Sequence, residues 1–279
     1  MSFKTILVHV DESRHIDKRI DMAIKLAREN QAHLIGMATT GVSQYLYETM
    51  ALSPGDTNLV PYLEIFRKRA EKALEHFKSA VQRAGNLSFE TRLADDEPSG
   101  GISLFGRYAD LVVLSQFDAD EASPANQPYM PEYIAMNGGS PVLLVPHSSM
   151  VSSFGERVLI AWNGSPEAKR AVHYALPILQ RAKEVVVVSY LPSGQEEAFG
   201  ERPASELAAY LMHHNIQARN IQEENISDVG DALLSLAANL SSDLLVMGCY
   251  GHTRIREILL GGATRKIFQS TTIPVLLSH

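Results

Sequence analysis

The feature that most constrains this chain is that it is written twice. Lys4-Thr5-Ile6-Leu7-Val8-His9-Val10-Asp11-Glu12-Ser13 and Arg157-Val158-Leu159-Ile160-Ala161-Trp162-Asn163-Gly164-Ser165 follow one plan. Each is a short apolar run that stops at Asp or Asn and passes through a small polar turn into a helical pattern. Ile20, Ala23, Ile24 and Ala27 in the first copy, and Ala171, Ala175, Leu176 and Leu179 in the second, recur at spacings of three and four, one face of a helix. Each copy then continues into a second strand-like run, His33–Ala38 and Glu184–Ser189. The ends repeat as well. Ala109-Asp110-Leu111-Val112-Val113-Leu114-Ser115 answers to Ser242-Asp243-Leu244-Leu245-Val246-Met247-Gly248, and Ser140-Pro141-Val142-Leu143-Leu144-Val145 to Ile273-Pro274-Val275-Leu276-Leu277-Ser278.

Asp11 and Asn163 lie 152 positions apart, Asp110 and Asp243 only 133, so the first copy is 19 residues longer in its middle. The extra length falls in Thr39–Pro61, ahead of a helical run over Glu64–Ala84. These landmarks predict a first module over residues 1–147, a linker over 148–156 rich in serine, and a second module over 157–279. Runs without alternation, such as Val185–Val188, belong to strands covered on both faces. Alternating with helices, they predict an α/β chain of two tandem doubly wound, Rossmann-like modules, each built on a mostly parallel sheet. In such sheets ligands bind beyond the C-terminal strand ends, which puts Asp11, Asn163, Ser189 and Gly248 on the functional edge.

Composition narrows the function. The 279 residues carry 25 Lys+Arg against 32 Asp+Glu, a net charge of −7, without a basic block. That charge argues against wrapping nucleic acid or docking on anionic lipid. The absence of an apolar run of membrane-spanning length, or of a signal segment ahead of the first strand, predicts a cytoplasmic protein without membrane insertion. The one cysteine, Cys249, rules out an intrachain disulfide or a multi-thiolate metal site. His213 and His214 are adjacent and diverge on a helix, and no pair of histidines has metal-ligand helical spacing, so no metal ligands are assigned. No Walker-type phosphate loop is present and no general base stands out, so no catalytic residues are assigned.

The most informative stretch runs from Met247 to Thr264. Gly248 and Gly251 bracket the exit from a buried strand, and Gly261 and Gly262 precede Ala263, Thr264 and a helix-like run over Arg265–Ser270. Glycines let backbone N–H groups approach an anion, and a helix start adds donors and a positive dipole end. The spacing G-x2-G-x9-G therefore describes a phosphate cradle at a sheet edge. Following a -Asp-Leu-Leu-Val-Met- strand and preceding Ile-Pro-Val-Leu-Leu, it resembles the ATP-binding signature of the universal stress protein family. Ile-Leu-Val-His-Val-Asp-Glu-Ser and Val-Leu-Ile-Ala-Trp-Asn-Gly-Ser resemble that family's first strand and adenine loop.

The resemblance covers nearly the whole chain. It implies five-stranded parallel sheets, dimer-like pairing of modules (within the chain or between chains) and ATP, with or without Mg2+, as the cofactor. In the second module, Ala161, Trp162 and Asn163 match the adenine and ribose loop, Ser189 or Tyr190 ends the strand that walls the base, and Met247 and Gly248 lie beside the ribose. Gly251, His252, Gly261, Gly262, Ala263 and Thr264 would hold the phosphates. Asn163 stands where the family has Asp, Gly262 where it has Ser or Thr, and Trp162 is large for its place. The first module keeps Asp11 but continues Gln116-Phe117-Asp118-Ala119-Asp120-Glu121, whose carboxylates repel phosphate, and is read as non-binding for ATP. Three functions fit: a non-catalytic ATP-binding stress-response module, a weak ATPase using the same pocket, or a scaffold or binder of another small ligand.

Overall fold

The structure, a computed structural model, describes residues 2–43, 60–121, 127–148, 154–191, 202–224, 228–249 and 262–279. These divide into two compact units, Ser2–Ser140 and Pro141–His279.

In the first unit the order is β1 (Thr5–His9), α1 (Ile16–Asn30), β2 (His33–Thr39), α2 (Val60–Ala84), β3 (Phe89–Ala94), α3 (Pro98–Gly106), β4 (Leu111–Ser115) and α4 (Met130–Asn137). All its strands are parallel, in the order β3-β2-β1-β4. Parallel neighbours need a crossover, and the amphipathic helices supply it. Ile20, Ala23, Leu26 and Ala27 of α1 are buried, as their spacing requires. Because the order runs outward from β1 through β2 to β3 and then returns to β4 on the other side of β1, the switch point lies between β1 and β4.

The second unit opens with β5 (Val142–Val145) and continues β6 (Arg157–Ala161), α5 (Pro166–Leu179), β7 (Glu184–Leu191), α6 (Arg202–His213), β8 (Arg219–Glu224), α7 (Val229–Asn239), β9 (Leu244–Gly248), α8 (Ala263–Ser270) and β10 (Val275–Ser278). Its order is β5-β10-β9-β6-β7-β8, parallel except that β5 pairs antiparallel with β10 through Leu143↔Leu276. The switch point is again between the first strand of the repeat, β6, and the fourth, β9. Β5 ends the first copy of the repeat, yet its pairing with β10 groups it with the second unit.

Two clamps recur in both units. Asp110 accepts the N–H groups of Lys4 and Thr5, and Asp243 those of Glu156 and Arg157, so each carboxylate ties the fourth strand's start to the first strand's start. At the other strand end Val10 N–H donates to Met37 O and Trp162 N–H to Val188 O, which carries the pairing of the first two strands one residue past the ladder. The helix expected over Glu64–Ala84 forms within Val60–Ala84, and the helix-like run Arg265–Ser270 lies within Ala263–Ser270. Among the described residues, no helix is long and apolar enough to cross a membrane.

Gly36 of β2 shows how tightly the first unit packs: a Cβ there would land on the ring of Phe77, which is fully buried and meets Phe89 edge-on at 6.1 Å. Gly36→Ala should therefore destabilise the protein by about 1–3 kcal/mol through overpacking, read as a lower urea midpoint, and Phe77→Leu in the same background should recover part of it.

Candidate functional site

Both copies turn the chain at the same place with the same device. Asp11 Oδ1 accepts the N–H of Ser13 at 3.0 Å, and Asn163 Oδ1 accepts that of Ser165 at 3.1 Å. Asp and Asn favour such turns because a short side-chain oxygen can reach the backbone two residues on. Ser165 then caps α5 by accepting the N–H of Ala168. From this common turn the two strand edges diverge.

In the first unit the edge is filled by charge. Arg19 is only 1% exposed, and its guanidinium donates to His9 O, to Ser115 Oγ at 2.6 Å and to Asp11 Oδ1 at 2.7 Å. Asp11 also accepts the Ser13 hydroxyl. Burial raises the Asp11 pKa, but Arg19, His9 and the Ser13 hydrogen bonds outweigh it, and the carboxyl stays well below the usual range. The neighbouring cavity among Val10, Asp11, Thr39, Thr40, Phe66 and Arg69 holds about 40 Å³, the space of a water and far short of a nucleotide. Asp118, Asp120 and Glu121 follow β4, and Asp118 pairs with His15 at 2.7 Å and Arg14 at 2.9 Å.

In the second unit the position in register with Arg19 is Ala171, fully buried, and Asn163 is exposed. Ala161 and Met247 face each other in the parallel register of β6 and β9, with Trp162 half-buried just beyond. Gly248, the last residue of β9, has a packing reason of its own: a Cβ would collide with the backbone at Glu167 and Ala168, the first turn of α5. Ser189 and Tyr190 lie just before the end of β7 on the other side of β6, and neither hydroxyl has a hydrogen-bond partner among the described residues. Burial, helped by Glu223, pushes the Tyr190 phenol up to about 12, so it remains protonated. Gly262 caps α8 without any side-chain hydrogen bond, Ala263 opens the helix and Thr264 is buried in its first turn. Gly251, His252 and Gly261 lie outside the described residues. The structure thus gathers Ala161, Trp162, Asn163, Ser189, Met247 and Gly248 on neighbouring strand ends of β6, β7 and β9, and places Gly262, Ala263 and Thr264 at the start of α8.

Sequence reasoning missed two residues of the first edge. Arg19 reads as an ordinary exposed position on α1, and His9 as a polar break in a strand. His9 is fully buried, neither ring nitrogen has a hydrogen-bond partner among the described residues, and Nδ1 stands 3.7 Å from Asp11 Oδ2. Desolvation dominates over the pull of Asp11 and is helped by Arg19, bringing its pKa down to about 4. The neutral imidazole is thus the folded form, whereas the unfolded chain takes up a proton below about pH 6.5. Stability should be fully present above that pH and fall between pH 6.5 and 4 by roughly 3 kcal/mol from this group. Urea unfolding across that range checks it: His9→Leu should flatten the slope and leave stability at pH 7.5 unchanged or higher, while His173→Gln controls for the other histidine shifted downward.

A family model described as the universal stress protein family matches residues 155–279. Universal stress proteins Rv1636 and MT1672 of Mycobacterium tuberculosis are each 30% identical to this chain over 138 residues, 44% of this chain and 94% of their own length. Among solved structures, a universal stress protein from Archaeoglobus fulgidus matches with a TM-score of 0.73 at 16% identity, covering 98% of this chain and 97% of its own. The functionally unknown protein PA1789 from Pseudomonas aeruginosa matches with a TM-score of 0.65 at 16% identity, covering 99% and 92%. Identities that low speak for the fold alone. The mycobacterial relatives are matched over nearly their whole length, and on that ground the chain belongs to the universal stress protein family.

Proposed function

We propose that this protein is a tandem, non-catalytic ATP-binding stress-response module that holds its nucleotide in the second unit, at the C-terminal ends of β6, β7 and β9. The observation that carries this reading is the pair of buried hydroxyls without a partner among the described residues, Ser189 Oγ and Tyr190 OH. A buried polar group left unmatched costs about 1–3 kcal/mol, which a polar ligand offsets. Consecutive strand residues face opposite sides of a sheet, so one of the two addresses a given ligand. Ser189, beside the half-buried Trp162, is the one assigned to the base.

The rest of the edge suits a nucleotide. Trp162 offers a flat apolar face for a purine, and Asn163 offers an amide that both donates and accepts. At α8 the cap is a glycine, which offers the first-turn N–H groups no capping side chain of its own, the arrangement that favours phosphate oxygens. Any Mg2+ would arrive on the phosphates, since Asn163 presents an amide where a carboxylate would hold a cation. The first unit is the non-binding copy: Arg19 occupies the position of Ala171, and the cavity beside Asp11 and Thr39 is too small for a nucleotide.

Acid release and chromatography of nucleotide from freshly purified protein test this. The expected result is close to stoichiometric ATP in the unaltered chain, none in Gly261→Val, and weakened retention in Ser189→Val. ADP in place of ATP would indicate turnover and overturn the non-catalytic reading. No nucleotide, with no uptake of added ATP, would overturn nucleotide binding altogether.

A further inference from the structure

The first unit carries a second cluster that the nucleotide reading leaves unused. His15 stands at the N-cap of α1, and Asp118 and Glu121 lie on one turn after β4, closed by the Glu121 N–H donating to Asp118 O. The fold brings these two segments, 103 residues apart in sequence, together at the β1/β4 switch point. One imidazole nitrogen and one oxygen from each carboxylate all lie within 4.8 Å of one another. Asp118 is buried, and the half-buried His15 and Glu121 line a cleft with Ser13, Gln127 and Met130.

We propose that His15, Asp118 and Glu121 form a site for a divalent first-row cation of the zinc class. One imidazole with two carboxylates is a donor set such ions accept, and three protein ligands leave a fourth position for water. His15 Nε2 and Asp118 Oδ2 are 2.7 Å apart. Metal–ligand bonds of about 2.0–2.1 Å at a tetrahedral angle put two donors roughly 3.3 Å apart, so this pair opens by about half an ångström while the Glu121 carboxylate swings in to complete the set.

The carboxylates are already oriented by second interactions. Asp118 Oδ1 accepts the Asp120 N–H at 3.0 Å, and Glu121 Oε1 accepts the Arg14 N–H at 2.7 Å. Such supports hold ligands in place before a metal arrives. Arg14 Nη2 contacts Asp118 Oδ2 at 2.9 Å, and its side chain is 55% exposed. It therefore acts as the stand-in cation, one that turns into solvent when a doubly charged ion takes its place. The carboxylates that exclude phosphate from this edge are the groups a cation requires.

The test uses the full chain, stripped with a chelator and titrated with zinc chloride against a chromogenic zinc indicator, without nucleotide, so that its outcome is independent of ATP binding. Close to one zinc per chain is expected. Its affinity should fall at least about tenfold in His15→Ala and in Glu121→Gln, the size of loss that even indirect supports of a metal site cause, and stay unchanged in His76→Asn, whose ring pairs with Asp17 on the same unit. Glu121→Gln preserves size and the turn, so it decides the matter if His15→Ala fails to fold. Cobalt in place of zinc should give a visible absorption band that both ligand variants lose. Zinc uptake equal in the unaltered chain and in a folded His15→Ala/Glu121→Gln double variant, or no uptake at all, would show that the cluster is an ion-pair clasp and overturn the proposal.

Discussion

Parallel strands cannot be joined by a tight turn, and that one constraint lays out both units. Each connection between parallel neighbours has to climb back over a face of the sheet, which covers the central strands on both sides and forces the runs of Val and Leu in β4, β7 and β9. With the strand order reversing at β1 and at β6, the crossovers leave in opposite directions and part at the C-terminal ends of β1/β4 and β6/β9. Asp110 and Asp243 clamp the far ends of those same pairs, and the turns at Asp11–Ser13 and Asn163–Ser165 shape the near ends. The scaffold at the two edges is common, so what each edge binds depends on a handful of side chains.

The two edges differ most at the eighth residue after Asp11 or Asn163. Arg19 in the first unit brings a full charge under the strand ends, and taking a guanidinium out of water costs several kcal/mol before anything is returned. Asp11, His9 O and Ser115 Oγ return it, so the pair breaks about even against an apolar filling while either partner alone is strongly unfavourable. The consequence is commitment: an Asp11 carboxylate engaged by Arg19 and Ser13 has little capacity left for a ribose. Ala171 makes no such demand, and Asn163, uncharged and exposed, keeps its amide nitrogen facing water or a ligand. His9 belongs to the same commitment, since its complete burial, helped by the neighbouring guanidinium, keeps the imidazole neutral.

Much of this architecture was legible in the sequence because it follows from short-range pattern. The non-alternating run Val185–Val188 needs only local burial to be read as a central strand, and the repeated Asp110/Asp243 and Asp11/Asn163 positions announce themselves by register. The second strand of the second copy reads as ending at Ser189, and β7 runs two residues further, to Leu191. What was not legible depends on long-range closure. Arg19 follows Asp17 and Lys18 on α1 and looks like one more charged surface position, and only the approach of β4 with Ser115 makes it an interior residue. His15 meets Asp118 across 103 residues, with no spacing in either segment to announce it. The pairing of β5 with β10 was equally hidden, since two four-residue apolar strands carry no mark of their partner or its direction.

The two edges can also be compared as answers to one electrostatic problem. The start of a helix presents N–H groups and a positive dipole end, and an anion placed there is stabilised. At α8 the cap is Gly262, which has no side chain to accept those N–H groups, and the proposed nucleotide would take that place. At α1 it supplies its own anions: Glu121 takes the Arg14 N–H and Asp118 takes the Arg14 guanidinium and the His15 ring. Carboxylates tethered to the next strand's exit do permanently what a phosphate does reversibly, because their local concentration never falls. The two edges thus set the same helix-start dipole against different partners: carboxylates of the chain itself at α1, and in the proposed reading a ligand's phosphates at α8.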